Sequence, residues 1–231
     1  MAAPAGINMH ERYERNIGAL TEEEQELLGT KSAAIIGCGG LGAYVAEFLA
    51  RIGLQSLTVV DGDVYAPSNL NRQLNSLESN LGKSKSSETR KRLHKIRAGL
   101  SVKAVEAFLN DENAGEILKG HDVIIDALDN VKTRLLVEKT ADRLGIPLIH
   151  GAVREWSVQV CTVYPGDFTL SMLYLAGKEF ERPSVLSFSP GLCASLEASE
   201  AVKVLLNKGN ILRKKLLCAD LRYNTFEIID L

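Results

Sequence analysis

The chain has 231 residues, 45% of them hydrophobic and 24% charged, with a formal net charge of -2. That length can bury a sizeable core in one large domain or two small ones, and the balance of charge argues against a general nucleic-acid binder. No apolar run reaches the roughly 18 residues of a membrane span, and the polar N-terminal stretch lacks the core of a secretory signal; a cytoplasmic setting, with no nucleic-acid and no membrane partner, is expected.

Residues 1–20 are polar and include Arg12-Tyr13-Glu14-Arg15-Asn16. Thr21 opens a short helix, Glu24 completes a capping box, and Gly29 is the stop. Ala33 to Ile36 is a short apolar strand. It runs into Gly37-Cys38-Gly39-Gly40-Leu41-Gly42, a G-x-G-x-x-G turn, and then into an amphipathic helix with Val45, Phe48, Leu49 and Ile52 at helical spacing. A second apolar strand, Leu57 to Val60, ends on Asp61. Strand, glycine turn, helix, strand and acid in this order form the nucleotide-binding βαβ fingerprint. Gly37 permits the tight turn, Gly39 lets the backbone approach a phosphate, and Gly42 lets the helix lie close on the strand. The helix N-terminus offers N–H groups to an anion, and Asp61 can accept from ribose hydroxyls.

A polar loop follows, Tyr65 to Gln73. Ser84 to Gly99 reads as a basic helix, Val102 to Val105 as a strand and Asp111 to Leu118 as a helix. Asp122 to Asp126 reads as a buried parallel strand, residues 132–144 as a helix stopped by Gly145, and Pro147 to His150 as the next strand. The alternation implies a mostly parallel sheet. Trp156 to Tyr164 then alternates in the manner of a longer, antiparallel strand. Residues 165–188 read as irregular, Pro190 as the start of a helix reaching Leu206, and Lys215 to Ala219 and Phe226 to Ile229 as two closing strands. The expected fold is α/β: a Rossmann-like, mostly parallel sheet with helices on both faces and antiparallel strands toward the C-terminus. Cys38, Cys161, Cys193 and Cys218 form no C-x-x-C pair, so no structural zinc is expected and buried small hydrophobes are.

Six separated stretches together resemble the ThiF/MoeB/HesA family of adenylyltransferases, relatives of the ubiquitin-activating enzymes. They are Arg12 to Asn16, Gly37 to Gly42, Asp61-Gly62-Asp63 followed by Ser68 to Gln73, Gly82 to Lys85, Asp126 to Asn130, and, more weakly, Ser195 to Leu206. The resemblance implies one adenylation domain over 1–231. Its parts are an N-terminal arm and helix at 1–30, a nucleotide-binding core at 31–152, and carrier-binding strands, a crossover loop and the late helix at 153–231.

The implied chemistry uses ATP and magnesium to activate the C-terminal carboxylate of a small ubiquitin-like carrier protein ending in Gly-Gly, as an acyl-adenylate for sulfur transfer in cofactor biosynthesis. By the same resemblance Arg72 and Lys85 meet the phosphates, Asn69 contacts them, and Gly39 and Gly40 admit the α-phosphate. Asp61 holds the ribose, and Asp129 is the magnesium ligand. Asp63, Gln73 and Asn130 stand in the same nucleotide-binding motifs, and Arg15 matches an arginine given across a homodimer interface. Ordinary roles stay open beside these: Asp129 and Asn130 can cap the helix after them, Asn69 and Arg72 can be turn residues, and Lys85 and Arg15 can be solvated charges. Other activities stay open as well. One is activation of another carboxylate, as in the family's tRNA dehydratase branch; another is NAD-dependent oxidoreduction, which the βαβ unit alone allows. A third is a non-catalytic partner subunit. Residues 165–190 contain no cysteine, so a thioester or persulfide on this chain is not expected, and Cys193 reads as packing.

Overall fold

The computed structural model describes residues 9–174 and 184–231. Among these residues, eight strands form one continuous sheet in the order β3-β2-β1-β4-β5-β6-β7-β8. Strands β1 (Ser32–Ile36), β2 (Ser56–Val60), β3 (Ser101–Val105), β4 (Val123–Asp126) and β5 (Leu148–Arg154) are parallel. The strands β6 (Ser157–Val163), β7 (Lys215–Asp220) and β8 (Thr225–Asp230) add on antiparallel. The order reverses between β1 and β4, and the crevice at the C-terminal ends of those strands is where an open α/β sheet binds its ligand.

Helices cover both faces. Helices α3 (Gly42–Ile52), α4 (Lys85–Ile96) and α8 (Phe188–Leu206) pack Val45, Leu49, Leu93 and Ala194 against Ile35, Val59, Ile125 and Val160. On the other face α5 (Ala114–Leu118), α6 (Val131–Leu144) and α7 (Thr169–Leu173) bring Leu118, Val137, Ala141 and Leu170 onto Ile36, Ile124, Leu148 and Cys161. Burial of each large aliphatic side chain contributes about 1.5–3 kcal/mol. Helix α1 (Met9–Tyr13) and a 3-10 turn at Glu14–Asn16 precede α2 (Glu22–Leu28). The α2 N-terminus carries the expected capping box: the Glu24 N–H donates to Thr21 Oγ1 at 3.2 Å and the Thr21 N–H to Glu24 Oε2 at 2.9 Å.

Several boundaries differ from the sequence expectation. The helix expected from Asp111 starts at Ala114, because Asn110 and Asn113 tie residues 110–113 into a turn through their side-chain oxygens. The strand ending at His150 continues to Arg154, paired with β6 through Ser157. Helix α8 starts at Phe188, ahead of Pro190; proline is tolerated in a first turn, where its missing N–H is not needed. The segment read as irregular holds α7 at Thr169–Leu173, while its residues 175–183 lie outside the described ones. Cys218 is half-buried rather than buried.

Candidate functional site

The glycine turn leaves β1 at the switch point. Gly37 has φ 98°, and a Cβ there would meet the Ala127 carbonyl oxygen at 2.6 Å. The turn after β1 therefore lies directly on the loop after β4, which carries Asp129 and Asn130. A Cβ on Gly42 would lie 1.9 Å from the Gly37 carbonyl oxygen, so only glycine lets α3 begin this close to β1. At Gly39 and Gly40 none of the described residues crowds a Cβ nearer than 3.4 Å, so the turn has room there for a ligand to approach. Leu41 at the N-cap of α3 gives no side-chain cap; its carbonyl accepts from Tyr44 N at 3.1 Å, and a helix N-terminus without a side-chain cap suits an anion.

Asp61, just past β2, accepts the Cys38 N–H on Oδ2 and the Asp63 N–H on Oδ1, both at 2.8 Å. It ties the glycine turn to β2. Burial pushes its carboxyl above the usual carboxylate range, against the two backbone donors that lower it. Lys85, the first residue of α4, is buried, and its Nζ donates to Asp63 Oδ2 at 3.0 Å. The Asp63 side chain is 53% exposed, so the buried ammonium is paired with a carboxylate that reaches solvent, and its charge also acts on the Asp61 carboxyl. Asn69 is buried and its Oδ1 accepts the Ala66 N–H at 3.0 Å, holding the turn of residues 67–69. Arg72 Nη1 donates to the Ser68 carbonyl at 2.9 Å and to Asn71 Oδ1 at 2.8 Å. Its Cγ, with Pro190 of α8, lies 3.5 Å from a Cβ on Gly40, and Gln73 faces Gly39. Gln73 Oε1 is buried with no hydrogen-bond partner among the described residues.

One crevice thus gathers Gly37 to Gly42, Asp61, Asp63, Lys85, Arg72, Gln73 and the loop 127–130. Asp129 is exposed on that loop. Asn130 caps α6, accepting the Thr133 N–H at 2.9 Å, so the helix-capping alternative holds for it. Arg15 does not join the crevice. Arg12 Nη1 donates to the Ile96 carbonyl at 2.9 Å, and Tyr13 packs beside Gly53 and accepts from Arg97 Nη1 at 2.9 Å. Gly53 and Ile96 lie at the C-terminal ends of α3 and α4, whose N-terminal ends face the glycine turn and Asp63. The exposed Arg15 is therefore held at the far end of α3, a helix about 16 Å long at 1.5 Å per residue. Among the described residues no group of three or more His, Cys, Asp or Glu could hold a metal. Cys193 is buried, with Sγ 3.8 Å from the carbonyl oxygens of Ala152 and Gln159, and burial pushes its thiol well up. That is the setting of a packing residue.

Sequence reasoning passed over a polar cluster behind the crevice: Asp126, Arg134, His150 and Glu197 are all buried. The available signal was a histidine and acids within otherwise apolar runs. Glu197 stands against Gly151, both carboxyl oxygens without a hydrogen-bond partner among the described residues. Burial, with the nearby Asp126 charge, pushes its pKa well above the usual value despite Arg134. Folding therefore takes up a proton at Glu197 between the unfolded value near 4.3 and the raised folded value. Stability from this group falls as pH rises through that window, by up to about 1.4 kcal/mol per pH unit. Urea unfolding of Glu197→Gln from pH 5 to 8 should show a flatter pH dependence than wild type and higher stability at pH 8. Parallel curves would refute the neutral carboxyl.

No helix among the described residues is long and apolar enough to cross a membrane. The fold is that of solved structures such as E. coli MccB crystallised with ATP, with a TM-score of 0.83 at 21% identity over 98% of this chain and 71% of that one. In sequence, the chain is 34% identical over 227 residues to a SAMP-activating enzyme E1 of Haloferax volcanii, covering 95% of this chain and 84% of the relative. It is 34% identical over 224 residues to a sulfur carrier protein adenylyltransferase of Thermus thermophilus, covering 91% and 83%. Against the adenylyltransferase and sulfurtransferase MOCS3 of Xenopus laevis it is 36% identical over 205 residues, 84% of this chain but 45% of that protein. With the ThiF family matched over residues 13–231, nearly the whole length that builds the sheet and its crevice, this chain belongs to the ThiF family.

Proposed function

We propose that the chain is an adenylyltransferase that uses ATP and magnesium to activate the C-terminal carboxylate of a small ubiquitin-like sulfur carrier ending in Gly-Gly, acting as a homodimer in the cytoplasm. The carrying observation is the crevice itself: a helix N-terminus without a side-chain cap, glycines that the described residues do not crowd, and a buried lysine beside them at the switch of strand order. Relatives named for sulfur-carrier and SAMP activation favour this substrate class.

A terminal carboxyl has a pKa of about 3.5 and arrives ionised, so no general base is needed. The task is to bring an anion to a polyanion, which calls for positioning and charge neutralisation. Lys85, Arg72 and the first-turn N–H groups of α3 would hold the phosphates while the carboxylate displaces pyrophosphate from the α-phosphorus. Asp61 would accept from the ribose. Asp129 would hold magnesium, whose charge neutralises the phosphates; an exposed carboxylate suits an ion bound largely through phosphate oxygens and water. Residues 31–152 would then carry the nucleotide and 153–231 the carrier. Exposed Phe226, Ile228 and Ile229 on β8, and Trp156 against Phe188 at 5.1 Å between ring centroids, suit an apolar protein surface there. Arg15, anchored far from the crevice of its own chain, suits a role in a second copy.

ATP–pyrophosphate exchange tests the reading. Exchange should require both magnesium and an intact Gly-Gly carrier, and should vanish when the last two glycines are removed. Calorimetric binding of NAD in preference to ATP–magnesium would overturn it.

A further inference from the structure

A closed ring of hydrogen bonds lies behind the loop that carries Asp129. Leu128, the residue before Asp129, is held at both ends of its backbone. Its N–H donates to Asp126 Oδ1 at 3.0 Å, and its carbonyl accepts from Arg134 Nη2. Asp126 Oδ2 meets His150 Nδ1 at 2.7 Å, and His150 Nε2 meets the Tyr174 hydroxyl at 3.2 Å. Arg134 Nη1 donates to that hydroxyl at 2.5 Å and closes the circuit. Gln159 Nε2 also donates to it, at 3.2 Å, from outside the ring.

The donor inventory fixes the protons. Arginine and the Gln159 amide nitrogen only donate, so the Tyr174 oxygen accepts from both and gives its own hydrogen to His150 Nε2. The imidazole is then neutral with its proton on Nδ1, facing Asp126; burial, which favours the neutral imidazole, acts the same way. Every bond of the ring thus has one donor and one acceptor. The ring joins β4, the site loop, α6, β5 and the end of α7 through the buried Asp126, Arg134 and His150 and the half-buried Tyr174, and burial strengthens such bonds.

We propose that Tyr174 and Arg134 are positioning residues for Asp129: the ring fixes the Leu128 peptide and so aims the following carboxylate at the metal of the ATP complex. This rests on the reading of Asp129 given under Proposed function. Loss of the bonds that orient a ligand weakens metal binding by about 10–100-fold.

The test is Tyr174→Phe, which removes two ring bonds and keeps the aromatic ring beside Arg134. Mn2+ affinity is measured by electron paramagnetic resonance on the full chain holding a non-hydrolysable ATP analogue. The affinity should fall about tenfold or more, while affinity for the analogue without metal stays at the wild-type value. Arg134→Lys, which keeps the charge and cannot span Leu128 and Tyr174, should show the same split. Gln159→Met, outside the ring, should match wild type. Imidazole 15N spectra should show His150 neutral with Nδ1 protonated. Wild-type Mn2+ affinity in Tyr174→Phe, an equal loss in Gln159→Met, or a proton on Nε2 would each overturn the proposal and leave the adenylyltransferase reading standing. Failure of the wild-type complex to bind Mn2+ would instead bring down the metal role of Asp129, and the proposal with it.

Discussion

Asp129→Ala should lower magnesium-dependent ATP–pyrophosphate exchange by roughly 10³-fold, the several kcal/mol that a metal contributes to a phosphoryl transition state. Folding should be spared, because Asp129 is exposed and the cap of α6 belongs to Asn130. A variant that kept wild-type exchange would remove Asp129 from the site. The same variant also tests assembly. Arg15→Ala alone should be inactive if a second copy supplies the arginine. Mixed with Asp129→Ala and allowed to exchange subunits, it should recover part of the activity, since some mixed dimers hold one site with both residues intact. An arginine acting within its own chain gives no recovery on mixing. The position of Tyr13 beside Gly53 favours recovery, because it keeps Arg15 at the far end of α3 from its own glycine turn.

Legibility in the sequence followed the range of the interactions. The β1–turn–α3–β2 unit was readable because period, glycine spacing and Asp61 are all local, and the crevice gathers most of what they implied. Thr21 and Glu24 cap α2 as spacing alone predicts. By contrast α7 was missed. Its five residues have little helical tendency in isolation, and its first N–H groups are held by Glu138 of α6, 32 residues away, whose oxygens accept from Leu170 N at 2.6 Å and Ser171 N at 2.9 Å. The ring through Asp126, His150, Tyr174 and Arg134 was hidden for the same reason: its members lie on four elements, and only the sheet order makes them neighbours. Asn130 was readable in two ways, and the structure shows the cap.

The glycine turn separates structure from ligand approach most sharply. Gly42→Ala would place a methyl carbon 1.9 Å from the Gly37 carbonyl oxygen and 3.0 Å from Ala127 Cβ. The first is backbone, at a residue with φ 98° whose N–H bonds the Val60 carbonyl at 2.8 Å, so no side-chain rotation relieves the clash. Helix α3 must draw back from β1, loosening Val45, Ala46 and Leu49, all fully buried. A cost of about 3 kcal/mol or more follows from such overpacking, and thermal unfolding should drop by roughly 6–12 °C for a chain this long. Gly39→Ala meets only the amide end of Gln73, at 3.4 Å. Its melting temperature should stay within about 2 °C of wild type, while ATP affinity falls at least about tenfold because the methyl stands where a phosphate approaches the turn. Unfolding scans and ATP titration on the two variants therefore give opposite patterns. If Gly39→Ala melts as low as Gly42→Ala, or binds ATP as wild type does, the turn serves packing alone and the crevice loses its claim to the nucleotide.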